Sequence, residues 1–211
     1  VSGAPGLDAI LNREYEPPEK VREKLDIDPD RHIILCVQHP VTTQPEKAGK
    51  QMRTTLDAIA PIDAQTVLIY PNSDAGGKEM IEVIENHPSR KDIIVRKNLS
   101  RRYYLGLMAA ADVMVGNSSS GVIEAPSLDL PVVDIGLRER RRQRAPSTKS
   151  VNHNLKEIRE AVKTGLFDEK RKQEAKKCEN PYDYGGAGKR IVACLSEVTI
   201  DKSLMRKNIT Y

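Results

Sequence analysis

From residue 32 onward, short apolar runs alternate with segments whose apolar residues recur every three or four positions. His32 to Gln38 is a β-branched run that reads as a strand. In Glu46 to Ala60, Met52, Leu56 and Ile59 fall at helical spacings of four and three. The same alternation continues through strands at Thr66 to Tyr70, Asp92 to Arg96, Asp112 to Gly116 and Pro131 to Ile135. The helices between them are Gly77 to Asn86, with Met80, Ile81 and Ile84 inward, then Ser100 to Ala110, with Ser100 as N-cap, and Gly121 to Leu128. Strands this short and this uniformly apolar suit a parallel sheet covered on both faces, and parallel neighbours need helical crossovers. The pattern predicts an α/β doubly wound parallel sheet over residues 32–200.

Outside those five strands the pattern changes. Residues 1–31 are punctuated by Gly3, Pro5, Gly6, Pro17 and Pro18, with a helical candidate only at Glu19 to Leu25, so this stretch is expected to lead into the domain rather than to build its core. Beyond Gly136 the chain turns basic. It then reads helical at Leu155 to Thr164, Asp168 to Lys177 and Gly186 to Val198 without another clear strand, and residues 201–211 form a tail.

Composition narrows the class. The longest apolar runs, such as Ile33 to Val37, fall far short of the ~20 residues of a membrane helix, so the chain is expected to be soluble. Cys36, Cys178 and Cys194 are odd in number and lack metal-type spacing, which points to a reducing, cytoplasmic setting. Val1 is not Met, consistent with a chain that starts inside a longer gene product. A formal net charge of +4, one Phe and no Trp argue against a nucleic-acid partner, because stacking platforms are scarce.

In a doubly wound sheet, ligands collect where the loops at the carboxyl ends of the strands converge. The loop after the fourth strand is Gly116-Asn117-Ser118-Ser119-Ser120-Gly121, with Glu124 one turn further on. Small residues let the backbone approach an oxyanion, the hydroxyls can donate to it, and the helix starting near Gly121 adds its positive end. A phosphate seat and an ordinary capped turn are both open readings; Glu124 could equally pair with ribose hydroxyls or complement the helix dipole. After the second strand, Pro71-Asn72-Ser73-Asp74-Ala75-Gly76-Gly77 reads as a turn or as a functional loop. After the first, His39 beside Pro40 could donate to a phosphate or act as acid or base near neutral pH; His32, His87 and His153 read as surface or structural. Arg138, Arg140, Arg141, Arg142 and Arg144 form the strongest charge feature. One or two could clamp a diphosphate while at least three face water.

Taken in order, Ser2-Gly3-Ala4-Pro5-Gly6-Leu7-Asp8, His39-Pro40, Tyr70 to Gly76, Gly116 to Gly121 with Glu124-Ala125-Pro126, Pro131-Val132-Val133, Ile135-Gly136-Leu137-Arg138 and Asn180-Pro181-Tyr182 resemble the UDP-N-acetylglucosamine 2-epimerases, most of all their hydrolysing branch. The resemblance implies a Rossmann-like domain that is the carboxyl-terminal half of a two-domain, type B glycosyltransferase-like fold, with residues 1–31 as the interdomain crossing segment. By motif position, Ser118 and Ser119 meet the diphosphate, Glu124 the ribose hydroxyls, and Arg138 or Arg142 the phosphate or the loop around it. His39 matches a histidine near the diphosphate and sugar, and Asn72 lies in a loop facing the cleft. The implied reaction eliminates UDP from UDP-N-acetylglucosamine to leave a 2-acetamidoglucal, which hydrolysing members hydrate to N-acetylmannosamine. The implied partners are UDP, UDP-N-acetylglucosamine and an amino-terminal domain bearing the proton-transfer carboxylates; a homodimer is open, and no cofactor, metal or membrane is implied. The alternative is the donor domain of a type B glycosyltransferase.

Overall fold

The computed structural model describes residues 1–202, 204 and 206, so residues 203, 205 and 207–211 of the expected tail lie outside the described residues. In chain order the elements are α1 (Asp8–Leu11), α2 (Pro18–Leu25), β1 (Ile33–Val37), α3 (Ala48–Ile59), β2 (Gln65–Ile69), α4 (Gly77–Glu85), β3 (Ile93–Arg96) and α5 (Arg101–Ala110). There follow β4 (Val113–Gly116), α6 (Ser119–Ile123), β5 (Val132–Ile135), β6 (Thr148–Val151), α7 (Leu155–Phe167), α8 (Glu169–Lys177) and α9 (Ala187–Glu197). The strands form a six-stranded sheet in the order β3-β2-β1-β4-β5-β6, with every pairing parallel.

Successive strand residues go to opposite cores, as the twofold repeat of a strand requires. Ile34, Cys36, Val113, Val115, Val133 and Ile135 pack with Met52, Leu56, Met80, Ile84, Ile158 and Val162 of α3, α4 and α7. Ile33, Leu35, Val37, Met114 and Val132 pack on the other face with Leu105, Leu107 and Met108 of α5. Burial on both faces is why these strands carry no hydrophobic–polar alternation.

Three expectations need correction. A sixth strand exists: among the described residues Thr148-Lys149-Ser150-Val151 pairs with β5 alone, and its partly exposed, mostly polar residues gave no apolar run to detect. Residues 1–31 do build core. Leu7, Ile10, Val21, Leu25 and Ile27 are buried in the second cluster, and Gly106 of α5 lets the chain lie close, since a Cβ there would sit 2.3 Å from the Glu16 carbonyl oxygen. The helix expected over Gly121 to Leu128 begins earlier and breaks in the middle: α6 ends at Ile123 and a 3-10 turn, Ala125–Leu128, follows with Pro126 in its first turn. The two ends of the fold are also tied together, because the Asp8 carboxylate accepts the Ala187 and Gly188 amides at 2.9 and 2.8 Å and so caps α9.

Candidate functional site

The strand order reverses between β1 and β4, which makes their carboxyl ends the switch point of the sheet. Val37 pairs with Gly116 there, and Gly116 has φ +137 with its missing Cβ only 2.0 Å from the Val37 carbonyl oxygen. Only glycine permits that approach. Its consequence is that His39, two residues past Val37, and Asn117, directly after Gly116, meet across the strand ends.

Asn117 is buried, and its side chain clamps the His39 backbone: Oδ1 accepts the His39 N–H at 2.7 Å and Nδ2 donates to the His39 carbonyl at 2.9 Å. The imidazole is fixed from beyond a third strand end, where the Asn72 backbone N–H donates to Nδ1 at 3.1 Å, while the Asn72 side chain donates to Asp74. With Nδ1 accepting, the neutral ring carries its proton on Nε2. Burial, helped by the positive Arg138 and opposed by Asp74, lowers the His39 pKa to about 4. The expected titration near neutral pH therefore does not hold for the free protein; at pH 7 His39 is a neutral Nε2–H donor.

Ser118 is the N-cap of α6, its Oγ accepting the Ser120 amide at 3.4 Å. The Ser118 and Ser120 hydroxyls lie 2.9 Å apart, and Ser120 Oγ lies 2.6 Å from the Tyr104 phenol oxygen. Burial pushes that phenol up to about 12, so it stays protonated. Because α6 is five residues long, beginning at Ser119 rather than near Gly121, hydroxyls and side chains rather than a helix dipole must supply the positive character of this loop.

Glu124 is the C-cap of α6 and is mostly buried, with its Oε1 3.8 Å from Arg101 Nη1. Burial raises its pKa, while Arg101 and Arg142 pull it down. Arg101 also donates to the Gly6 carbonyl at 2.6 Å, which brings the amino-terminal glycine loop against this carboxylate. The arginine cluster divides by partner. Arg138 donates to the Asn117 carbonyl at 3.1 Å and to Glu139 at 2.9 Å, and the buried Glu139 carboxylate lies 2.6 Å from Arg142 Nε. Arg144 is committed to Asp134 through two contacts, at 3.1 and 2.8 Å. Arg140, Arg141 and Arg142 are exposed, in line with three of the five facing water.

His39, Asn72 and Ser118 line one cavity of about 360 Å³, together with Lys97, Leu99, Tyr104 and Ser120. Ser119, Glu124, Arg138 and Arg142 are not among its walls, although Arg138 reaches the same loop through the Asn117 carbonyl. A larger cavity of about 660 Å³ shares Asn72, but Glu46, Asp74 and Glu79 also line it, which disfavours an anion. Sequence reasoning assigned no role to Asn117, Tyr104, Arg101 or Glu139. Asn117 stood inside the serine motif, but Tyr104 read only as an inward helical residue, and nothing in the chain order announces that it reaches Ser120. Among the described residues, no group of three or more His, Cys, Asp or Glu side chains could hold a metal ion, and no helix is long and apolar enough to cross a membrane.

The sequence model for UDP-N-acetylglucosamine 2-epimerase matches residues 1–196. A UDP-N,N'-diacetylbacillosamine 2-epimerase (hydrolyzing) from Legionella pneumophila is 32% identical over 209 residues, covering 99% of this chain and 54% of the relative. The chain thus spans about half the length of that curated relative. UDP-GlcNAc 2-epimerase from Neisseria meningitidis, solved with UDP-GlcNAc bound, superposes with a TM-score of 0.71 at 18% identity over 94% of this chain and 55% of its own. S. aureus MnaA, solved with UDP, gives a TM-score of 0.72 at 22% identity over 93% of this chain and 53% of its own. A glycosyltransferase of lipopolysaccharide biosynthesis shares the fold at a TM-score of 0.51, with 14% identity over 75% of this chain and 44% of its own. With this architecture and a match across nearly its whole length, the chain belongs to the UDP-N-acetylglucosamine 2-epimerase family.

Proposed function

We propose that this chain is the UDP-gripping domain of a hydrolysing 2-epimerase acting on a UDP-linked 2-acetamido sugar such as UDP-N-acetylglucosamine. The observation that carries the reading is the convergence of a neutral His39 Nε2–H donor and the Ser118 hydroxyl on one cavity at the sheet's switch point. The Legionella relative, named as hydrolysing, supports the choice of branch.

In this reading the reaction removes the C2 proton and breaks the C1–oxygen bond, leaving a 2-acetamidoglucal and UDP; water then adds to give N-acetylmannosamine when the sugar is N-acetylglucosamine. The C1–oxygen bond breaks more easily if the charge developing on the departing diphosphate meets donors already in place. Ser118, Ser119 and His39 Nε2–H supply them here, Arg138 and Arg142 add positive charge, and Glu124 takes the ribose hydroxyls. The Asn72 backbone N–H serves by fixing the His39 ring. Proton transfer falls to carboxylates of an amino-terminal domain, in a reducing, cytoplasmic setting.

Calorimetric titration of this chain with UDP and with UMP tests the diphosphate seat. Weak binding of UDP with clear preference over UMP is expected; equal affinity for both, or none for either, contradicts it. For a protein that joins this chain to such an amino-terminal domain, release of free N-acetylmannosamine with UDP supports the hydrolysing reaction, whereas sugar transfer to an acceptor contradicts it.

A further inference from the structure

Three buried or half-buried hydroxyls form a line from α5 to the loop after β4: Tyr104 Oη to Ser120 Oγ at 2.6 Å, then Ser120 Oγ to Ser118 Oγ at 2.9 Å. Distances alone do not say which oxygen donates, but the chemistry of the groups does. A phenol is the most acidic O–H of the three and the poorest acceptor, since its lone pair is shared with the ring. Tyr104 therefore donates to Ser120, and the donated proton polarises the Ser120 hydroxyl and makes it the stronger donor toward Ser118. Ser118 Oγ also accepts the Ser120 amide. With both lone pairs engaged, the Ser118 proton is left to point outward.

We propose that Tyr104 is a positioning residue that, through Ser120, sets the Ser118 hydroxyl as a donor toward the diphosphate of a bound UDP. This rests on the reading of the cavity as a UDP site and adds to it a cause for the polarity of its serine. Without the phenolic proton the Ser120 hydroxyl loses that polarisation and donates less strongly to Ser118, so Ser118 more readily turns its own proton inward to Ser120 instead of toward the ligand. All three residues line the same cavity as His39. The phenol ring of Tyr104 also packs among the core residues of the second face, which a phenylalanine preserves.

The test is a double-mutant cycle on the 211-residue chain, read by calorimetric titration with UDP and by thermal unfolding. Tyr104→Phe is expected to weaken UDP about three- to tenfold in the wild-type background, as loss of one well-directed hydrogen bond should. In the Ser118→Ala background the same change is expected to have less than a twofold effect, because the hydroxyl it orients is gone. A merely structural role would instead lower affinity and melting temperature alike in both backgrounds. Ser120→Ala interrupts the line at its centre and stands in if Tyr104→Phe does not fold; its effect on UDP is expected to vanish likewise once Ser118 is alanine. If wild type binds UDP and Ser118→Ala weakens it while Tyr104→Phe and Ser120→Ala do not, the relay is wrong and the UDP site stands. If wild type does not bind UDP, the site itself is wrong and the relay falls with it.

Discussion

Asn117 grips His39 by both atoms of its side-chain amide, accepting the histidine's N–H at 2.7 Å and donating to its carbonyl at 2.9 Å. That pair joins the end of β1 to the end of β4 and fixes the direction in which the imidazole leaves the sheet. Asn117→Ala leaves a buried N–H and carbonyl without partners and is expected to cost about 1–3 kcal/mol of stability. Asn117→Asp keeps the acceptor but sets an oxygen against the His39 carbonyl, so it is expected to cost at least as much. Urea unfolding checks both, and wild-type stability in both variants would show that the clamp contributes nothing.

Close approach of the two strand ends sets the next expectation. Gly116→Ala places a Cβ where the Val37 carbonyl oxygen lies 2.0 Å away, at a φ of +137. Strand separation must change to admit it, so a loss of at least ~2 kcal/mol is expected, or failure to fold. Gly188→Ala, which would meet only an aspartate side chain at 2.9 Å, serves as a comparison and is expected to be milder.

The ionisation of His39 gives a pH dependence whose sign is fixed. Its folded pKa of about 4 lies below the ~6.5 of an unfolded histidine. Above pH 6.5 the ring is neutral in both states and contributes no slope. As pH falls from 6.5 toward 4 the unfolded chain takes up the proton first, so stability declines, by about 1–3 kcal/mol for this partly shielded group. His153, also lowered by burial, adds in the same direction. Arg138→Ala is expected to raise the His39 pKa and Asp74→Asn to lower it further. An NMR titration of the His39 ring reads both, and no change in either variant would remove those two charges as causes.

Ser118→Ala and Glu124→Ala are each expected to weaken UDP by about 1–3 kcal/mol, the range for losing a hydrogen bond to a charged group or to the ribose. Titration with UDP decides it. Unchanged affinity in both variants would take these residues out of the site.

Much of this was legible in the chain because burial on both faces leaves a plain mark. Ile33 to Val37 and Val113 to Gly116 are apolar at every position, and Met52, Leu56 and Ile59 keep a helical period. Thr148 to Val151 escaped because an edge strand needs only one hydrogen-bonded neighbour and little apolar surface. Leu7 and Val21 escaped because proline and glycine around them masked residues that bury in the same cluster as a helix 80 positions or more away. The site divides the same way. Serines and an acid clustered in sequence could be read directly, whereas the contacts of Asn117 with His39 and of Tyr104 with Ser120 exist only once the sheet has brought separate loops together.

A crystal of this chain soaked with UDP tests the central claim most directly. The diphosphate is expected against Ser118 and Ser119 with His39 Nε2 within hydrogen-bonding distance, and the ribose hydroxyls at Glu124. Density for UDP elsewhere on the protein, or a serine loop still closed on its own side chains with no ligand bound, would contradict it.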